Sequence, residues 1–407
     1  MKKKLLSGLF IFVIIGVSAF TAYENPKVVE IPKKNIKYFL KKIGIIDSFL
    51  IVEPKKKVTT KKIKTKDEFF ANSFTLEIEK IKPLNRKTSG LYFDNNKNLI
   101  IFTQDGEKIE KNRIEEINLP LNFTTENEGG VRSVIYFNQK YYGLLSRKTK
   151  DCYYSSLINI KTQATIFDTK CIPDKKGVNF AGLGGAFEYL NNNLLISVGT
   201  PTHDSDVIDN LSQNVEYLYG KMLLLENLEN LNEKLSIKIF SLGHRNPQGL
   251  TKINKVLFST EHGPQGGDEL NKIEQGKNYG WPNISLGTRY GGKSYDNKYG
   301  KKYENPIFSF SPSIAPSMLS NCPENLKNYY NDFICLVGLT LKEMSLIVYL
   351  IDEESEKLFA YEKIPLDKRL RHFALNQEAD LYNDEDSSFY FSADKDGIYK
   401  AKFKNFR

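Results

Sequence analysis

The chain concentrates its chemistry-bearing residues between positions 243 and 282. Gly243-His244-Arg245-Asn246-Pro247-Gln248-Gly249-Leu250 leads into an apolar run ending at Thr260. Glu261-His262-Gly263-Pro264-Gln265-Gly266-Gly267-Asp268-Glu269-Leu270-Asn271 follows, and Asn278-Tyr279-Gly280-Trp281-Pro282 closes the stretch with the only tryptophan of the chain. A loop this rich in glycine and proline exposes backbone carbonyls. Together with Asp268 and Glu269 they are hard oxygen donors of the kind that binds Ca²⁺. Arg245 adds a forked donor matched to a carboxylate. The same residues would also suit a tight capped loop with no ligand, and composition alone favours that plainer reading.

Such a loop needs rigid elements on both sides, and the rest of the chain supplies a recurring unit. An apolar strand runs into an Asn/Asp-rich turn and then into a second apolar strand, as hairpins do. The turns fall near residues 95, 138, 191, 254, 331 and 384. Long helical periods are absent from this region, and the spacing leaves room for two more strands per unit. A six-fold repeat of four-stranded sheets is a β-propeller, so the expected fold class is all-β, a six-bladed β-propeller over residues 70–405. A pair of β-sandwiches would explain the hairpins but not their number and spread.

The N-terminus has a different composition. Met1-Lys2-Lys3-Lys4 precedes an apolar run from Leu5 to Phe20, which predicts a signal peptide or membrane anchor over residues 1–22. The run is short against the roughly 17–25 residues of a membrane span. Residues 23–69 read as a Lys-rich linker. Within it Ile36, Phe39, Leu40, Ile43, Ile46, Phe49 and Leu50 follow helical spacing, suiting either a bilayer surface or the body of the protein. Residues 1–66 hold 16 Lys and 4 acidic residues, whereas the whole chain carries a net charge of +9. The folded part is therefore slightly acidic, which argues against a nucleic-acid partner. An exported body, periplasmic or membrane-anchored, permits disulfides. Sequence proximity favours Cys152–Cys171 and Cys322–Cys335 among three connectivities.

The stretch 243–282 closely resembles the soluble quinoprotein glucose dehydrogenases, the glucose/sorbosone or aldose sugar dehydrogenase family. Their pattern GHRNPQGL, then EHGPxGGDELN, then NYGWP occurs here in order and at family spacing. Weaker similarity continues through Pro312–Ser317, Val337–Lys342 and Arg369-Leu370-Arg371, so the resemblance spans about residues 70–405. It implies a six-bladed propeller that oxidises the C1 hydroxyl of aldoses with pyrroloquinoline quinone (PQQ). It assigns PQQ contacts to Arg245, Asn246, Lys342, Arg369 and Arg371; the four cations among them would neutralise a tricarboxylate. It assigns a cofactor-bound Ca²⁺ to the carbonyls of Gly263 and Pro264, and matches Glu269 and Tyr279 to a second, structural Ca²⁺ of some members.

The departures are on the substrate side. The family's general base is a His just before the Gly-Gly of the third blade. Here the stretch reads Asn179-Phe180-Ala181-Gly182-Leu183-Gly184-Gly185-Ala186, with neither His nor Asp. Glu128 stands where a Gln is expected, Ala186 for an Arg, Ser311 for an aromatic residue and His372 for an Asp. Loss of a positioned base costs roughly 10²–10⁴ in rate, and Glu128 and His203 are the candidate substitutes. The expected function is PQQ- and Ca²⁺-dependent oxidation of a sugar or other alcohol in the cell envelope, its electron acceptor unnamed. The alternatives are a catalytically inactive membrane-anchored propeller that binds a sugar, glycan or protein, and an envelope protein that uses only the fold.

Overall fold

A computed structural model describes residues 67–407 apart from 112, 175–176, 202–209, 229–233 and 299–302. The segment expected over 1–22 and nearly all of the linker 23–69 lie outside the described residues, as does His203.

The described chain is almost entirely strand. It begins with β1 (Asp67–Phe70) and β2 (Thr75–Pro83), so strand structure starts three residues before the expected boundary. Blade one follows: β3 (Thr88–Phe93), β4 (Leu99–Thr103), β5 (Glu107–Glu110) and β6 (Arg113–Glu116). Blade two is β7 (Val131–Phe137), β8 (Lys140–Lys148), β9 (Cys152–Asn159) and β10 (Thr165–Asp168), with β11 (Ile172–Pro173) also paired to β9. Blade three is β12 (Gly184–Leu190), β13 (Asn193–Val198), β14 (Lys221–Glu226) and β15 (Ser236–Leu242). Blade four is β16 (Pro247–Ile253), β17 (Val256–Glu261), β18 (Asp268–Ile273) and β19 (Phe308–Phe310). Blade five is β20 (Pro316–Asn321), β21 (Phe333–Thr340), β22 (Ser345–Asp352) and β23 (Leu358–Pro365). Blade six joins both ends of the chain: β24 (Leu370–Phe373), β25 (Phe389–Ala393) and β26 (Gly397–Lys404) pair in the order β1-β2-β26-β25-β24. The expected six-bladed propeller is the observed fold.

Each of the six turns read from the sequence joins the innermost strand of a blade to its second strand, or immediately precedes that second strand. Asn138, Asn191 and Asn254 adopt φ of 45°, 57° and 55°, the left-handed region that asparagine tolerates better than most residues. The inner strands β3, β7, β12, β16, β20 and β24 neighbour one another in a closed ring. One narrow channel is lined by residues from all six, including Gly90, Ser133, Ala186, Gln248, Met318 and His372.

Six apolar clusters fill the six interfaces between consecutive blades. Strand alternation explains this: in β22, Leu346, Val348 and Leu350 pack toward blade six, while Ile347, Tyr349 and Ile351 pack toward blade four. Both faces are buried, so these strands read as unbroken apolar runs. The cysteines pair as Cys152–Cys171 and Cys322–Cys335, with Cα separations of 5.8 and 5.4 Å, resolving the connectivity left open by the sequence.

The seams generate a paired prediction. Leu336 is fully buried, so Leu336→Ala should cost about 2–5 kcal/mol in chemical denaturation. The Tyr349 hydroxyl, buried one strand away, has no hydrogen-bond partner among the described residues. Tyr349→Phe should therefore be neutral or stabilising by up to about 1 kcal/mol.

Candidate active site

Every inner strand runs in the same sense relative to the ring, so the six segments that enter them lie on one face. That face carries a cavity of about 210 Å³. Its wall takes Lys87 from before β3, Glu128 from before β7, Ala181 and Gly182 from before β12, Arg245 and Asn246 from before β16, Ala315 from before β20, and Arg369 from before β24. Arg132 and Arg371 add side chains from the first turns of β7 and β24, and Gln248 lines both this cavity and the central channel.

Buried carboxylates hold the motif residues in place. Glu261, at the end of β17, accepts from the backbone N–H of Arg245 and from that of Asn246 at 3.2 Å, and its other oxygen meets His244 Nδ1 at 3.0 Å. The His244 ring also meets Ser241 Oγ at 2.8 Å and stacks on Tyr279. Arg245 is thereby aimed with one Nη1–H on the carbonyl of His262 at 3.1 Å, its guanidinium 5.4 Å from the Trp281 ring and its Nε buried without a partner among the described residues. Asn246 ties blade four to blade three: Nδ2 donates to Ala181 O at 3.2 Å and Oδ1 accepts from Gly184 N at 3.1 Å.

Arg371 forms a bidentate pair with Asp394, both bonds 2.5 Å. Burial works against the Asp394 charge, but the Arg371 bonds and the nearby Arg369 outweigh it and hold the carboxyl below its ordinary range. Arg369 is half exposed and reaches the carbonyl of Leu341 at 3.4 Å. Lys342 departs from expectation. It follows Leu341, which lines the cavity, but its own side chain is exposed and outside the wall. Both residues lie in the bend after β21, where Leu341 is buried and Lys342 faces solvent.

Glu128 is exposed at the cavity edge, and Lys87 donates to it at 2.8 Å. That bond and charge hold its carboxyl below the ordinary range, which weakens it as a proton acceptor. His262 is an imidazole of the wall that sequence reasoning passed over, its motif having been read for neighbouring carbonyls. Its Nε2 donates to Pro316 O at 2.5 Å, and burial, with the Arg245 and Arg371 charges, holds its pKa below the usual value despite Asp268. His372 lies in the channel instead, with Nδ1 2.9 Å from Thr88 Oγ1 and its pKa pushed down to about 3 by burial. Lys87 and Arg132 were also missed, since neither sits in a local motif.

Arg245 and His262 form a shared wall with a second, smaller cavity lined by Gly263, Pro264, Glu261, Glu269, Tyr279 and Trp281. Asp268 fixes this region: one oxygen accepts from Gly263 N at 2.9 Å, the other from Ile314 N and Ala315 N at 2.7 and 2.6 Å. Burial and the charges of Glu261 and Asp268 raise Glu269 to about 8; a bond from Asn271 only partly offsets them. The Tyr279 hydroxyl is committed to Lys272 O and Glu274 N, so its phenol is not a free ligand. Among the described residues no three carboxylate, imidazole or thiol groups are placed to hold a metal ion alone. A cation here would depend on backbone carbonyls beside Glu269, and a carboxylate held this far above its range is a donor set short of positive charge.

The sequence model for glucose/sorbosone dehydrogenases matches residues 148–391. The aldose sugar dehydrogenase of Escherichia coli is 34% identical over 119 residues, 26% of this chain and 32% of that enzyme. The chain thus matches about a third of the length of the curated relatives it resembles. The apo crystal structure of the soluble E. coli aldose sugar dehydrogenase superposes with a TM-score of 0.62 at 20% identity, covering 80% of this chain and 99% of that one. The PQQ-bound aldose sugar dehydrogenase of Streptomyces coelicolor gives 0.54 at 19% identity, covering 81% and 98%. At these identities the structural likeness concerns the fold.

The acid cluster predicts a pH-dependent cation response. A folded pKa raised above the unfolded value contributes stability present at low pH and lost as pH rises toward about 8. In EDTA at pH 8.5, Glu269→Gln should therefore be more stable than the parent by roughly 1–3 kcal/mol. The gap should close near pH 4.5. Added Ca²⁺ should raise the melting temperature of the parent far more than that of the variant.

Proposed function

The chain belongs to the glucose/sorbosone dehydrogenase family, and from that premise we propose that it is a PQQ- and Ca²⁺-dependent dehydrogenase of a sugar or related alcohol. The observation that carries this reading is the convergence of Arg245, Arg369 and Arg371, from blades four and six, on one cavity that adjoins the one lined by Gly263 and Pro264. The residues fit the group: a tricarboxylate meets three guanidiniums, one with a buried Nε–H that has no partner among the described residues. When bound, the quinone supplies the acceptor for hydride from the substrate carbon, and Ca²⁺ supplies Lewis acidity.

The chain's own residues do the rest. Arg245 is pre-aimed by Glu261 and Trp281, so it orders without a further entropic cost. Gln248 presents its amide between Asn246 and Ala181 at the channel mouth. Asn179, Ala181 and Gly182 line the side where the family carries its base. Proton removal falls to Glu128, whose Lys87 partner keeps it ionised and weak, or to His203, outside the described residues. The two disulfides support placing the propeller in an oxidising compartment, exported and held by the N-terminal segment. The weakness of Glu128 as a base favours a second reading: a membrane-anchored propeller that binds a sugar, glycan or protein partner without turnover.

Reconstitution with PQQ and Ca²⁺ decides between them. The quinone spectrum should shift on binding, and Arg245→Ala or Arg369→Ala should each weaken binding by roughly 10–100-fold, the value of a charge-assisted hydrogen bond. No spectral change in the parent would end the cofactor reading. With a dye acceptor, neutral aldoses should turn over slowly, about 10²–10⁴ below the rate a positioned base allows. Glu128→Gln or His203→Ala should lower that residue further; cofactor binding with no turnover at all selects the second reading.

A further inference from the structure

The cavity holds more positive charge than its assigned ligand uses. Five cationic side chains line it, Lys87, Arg132, Arg245, Arg369 and Arg371, against the single carboxylate of Glu128. Lys87 is paired with Glu128 at 2.8 Å. Arg371 is backed by Asp394, and with Arg245 and Arg369 it is the set assigned above to the cofactor. Arg132 makes no close ion pair among the described residues, and the charges of Glu128 and Asp394 act on it only from a distance. Among the described residues its one hydrogen bond runs from Nη1 to the carbonyl of Glu128 at 3.3 Å, and its Nε is buried without a partner.

This cation is fixed in position. It follows Gly129-Gly130, where the chain passes so close to its neighbours that a Cβ at Gly129 would lie 2.4 Å from Ser146 Oγ. Gly130 has φ +111° and donates to Ser146 Oγ at 2.7 Å, so the start of β7 cannot shift to take the guanidinium elsewhere. Burial and the nearby Arg371 depress the pKa of Arg132 to about 10, and the charges of Glu128 and Asp394 offset this only in part.

We propose that Arg132 is a specificity-determining residue that binds the anionic group of the substrate, so that the sugar taken is acidic, an aldose bearing a carboxylate or phosphate. A planar fork with unused N–H donors matches either anion in bidentate fashion. The inference rests on the proposed function for one step, the assignment of the other three arginines to the cofactor.

The test needs no turnover. The purified full chain, free of cofactor, is titrated by calorimetry at low ionic strength with glucose, glucuronate and glucose 6-phosphate. At least one anionic sugar should bind roughly tenfold or more tighter than glucose, and the one that does identifies the anion. Arg132→Gln should abolish the preference and leave PQQ affinity unchanged, while Arg132→Lys should keep part of it. Equal binding of all three sugars by the parent overturns the proposal without needing a folded variant. So does an Arg132→Gln protein that loses PQQ affinity and keeps the preference, since Arg132 would then belong to the cofactor. Failure of the parent to bind PQQ strikes the cofactor reading instead and leaves the sugar titration to be judged alone.

Discussion

Closure of the ring by the first and last described strands is the constraint on which everything else rests. β26 lies between β2 and β25, so the last strand of the chain is an interior strand of blade six, hydrogen-bonded on both sides. Radial repetition shields sheet faces only if the ring is complete; an open ring would bare two apolar seams at once. The seam between blades five and six draws Phe74, Leu76 and Ile78 from the first strands and Phe403 from the last. Arg369 and Arg371 belong to that same blade, so the site exists only in the closed molecule.

Within the closed ring, three acids do the local positioning. Glu261, Asp268 and Asp394 are each almost fully buried, a costly place for a carboxylate, and each is satisfied by several donors. Glu261 binds the segment before β16 to the end of β17. Asp268 binds the loop after β17 to the segment before β20. Asp394 fixes Arg371. Each thus ties cavity-forming backbone or side chains to a neighbouring strand, and between them they replace loop flexibility by geometry. Glu269, one residue beyond Asp268, has a single donor among the described residues, Asn271, and is the acid left unsettled.

Much of the fold was legible because its periodic parts are local. A hairpin turn at Asn191 or Asn254 is announced by the asparagine and by the apolar runs that flank it, and six such units imply six blades. The outer strands were not legible: β6 reads Arg-Ile-Glu-Glu, is wholly exposed, and carries no apolar pattern. The motif stretch brings Arg245, Asn246, Gly263 and Pro264 to two adjoining cavities, because their geometry is fixed within one blade. Lys342 stands outside the cavity wall although its neighbour Leu341 lines it, a difference of one residue in a bend that no sequence pattern reveals. Lys87 and Arg132 could not be found at all. Each is one cation in a region of many, and only the ring brings them within reach of residues more than a hundred positions away.

The same closing strand governs how the molecule can be made. Thr75 pairs with Lys404, roughly 330 residues later, and joining ends so far apart carries a loop-closure entropy that no local contact repays in advance. That pairing spans the greatest sequence separation in the sheet set, whereas the hairpins within the other blades are local. Until Gly397–Lys404 docks, β2 and β25 are bare edges facing each other across a gap, each able to pair with a strand from another chain. Assembly therefore runs as a race between the tail of its own polypeptide and its neighbours, and dilution favours the tail.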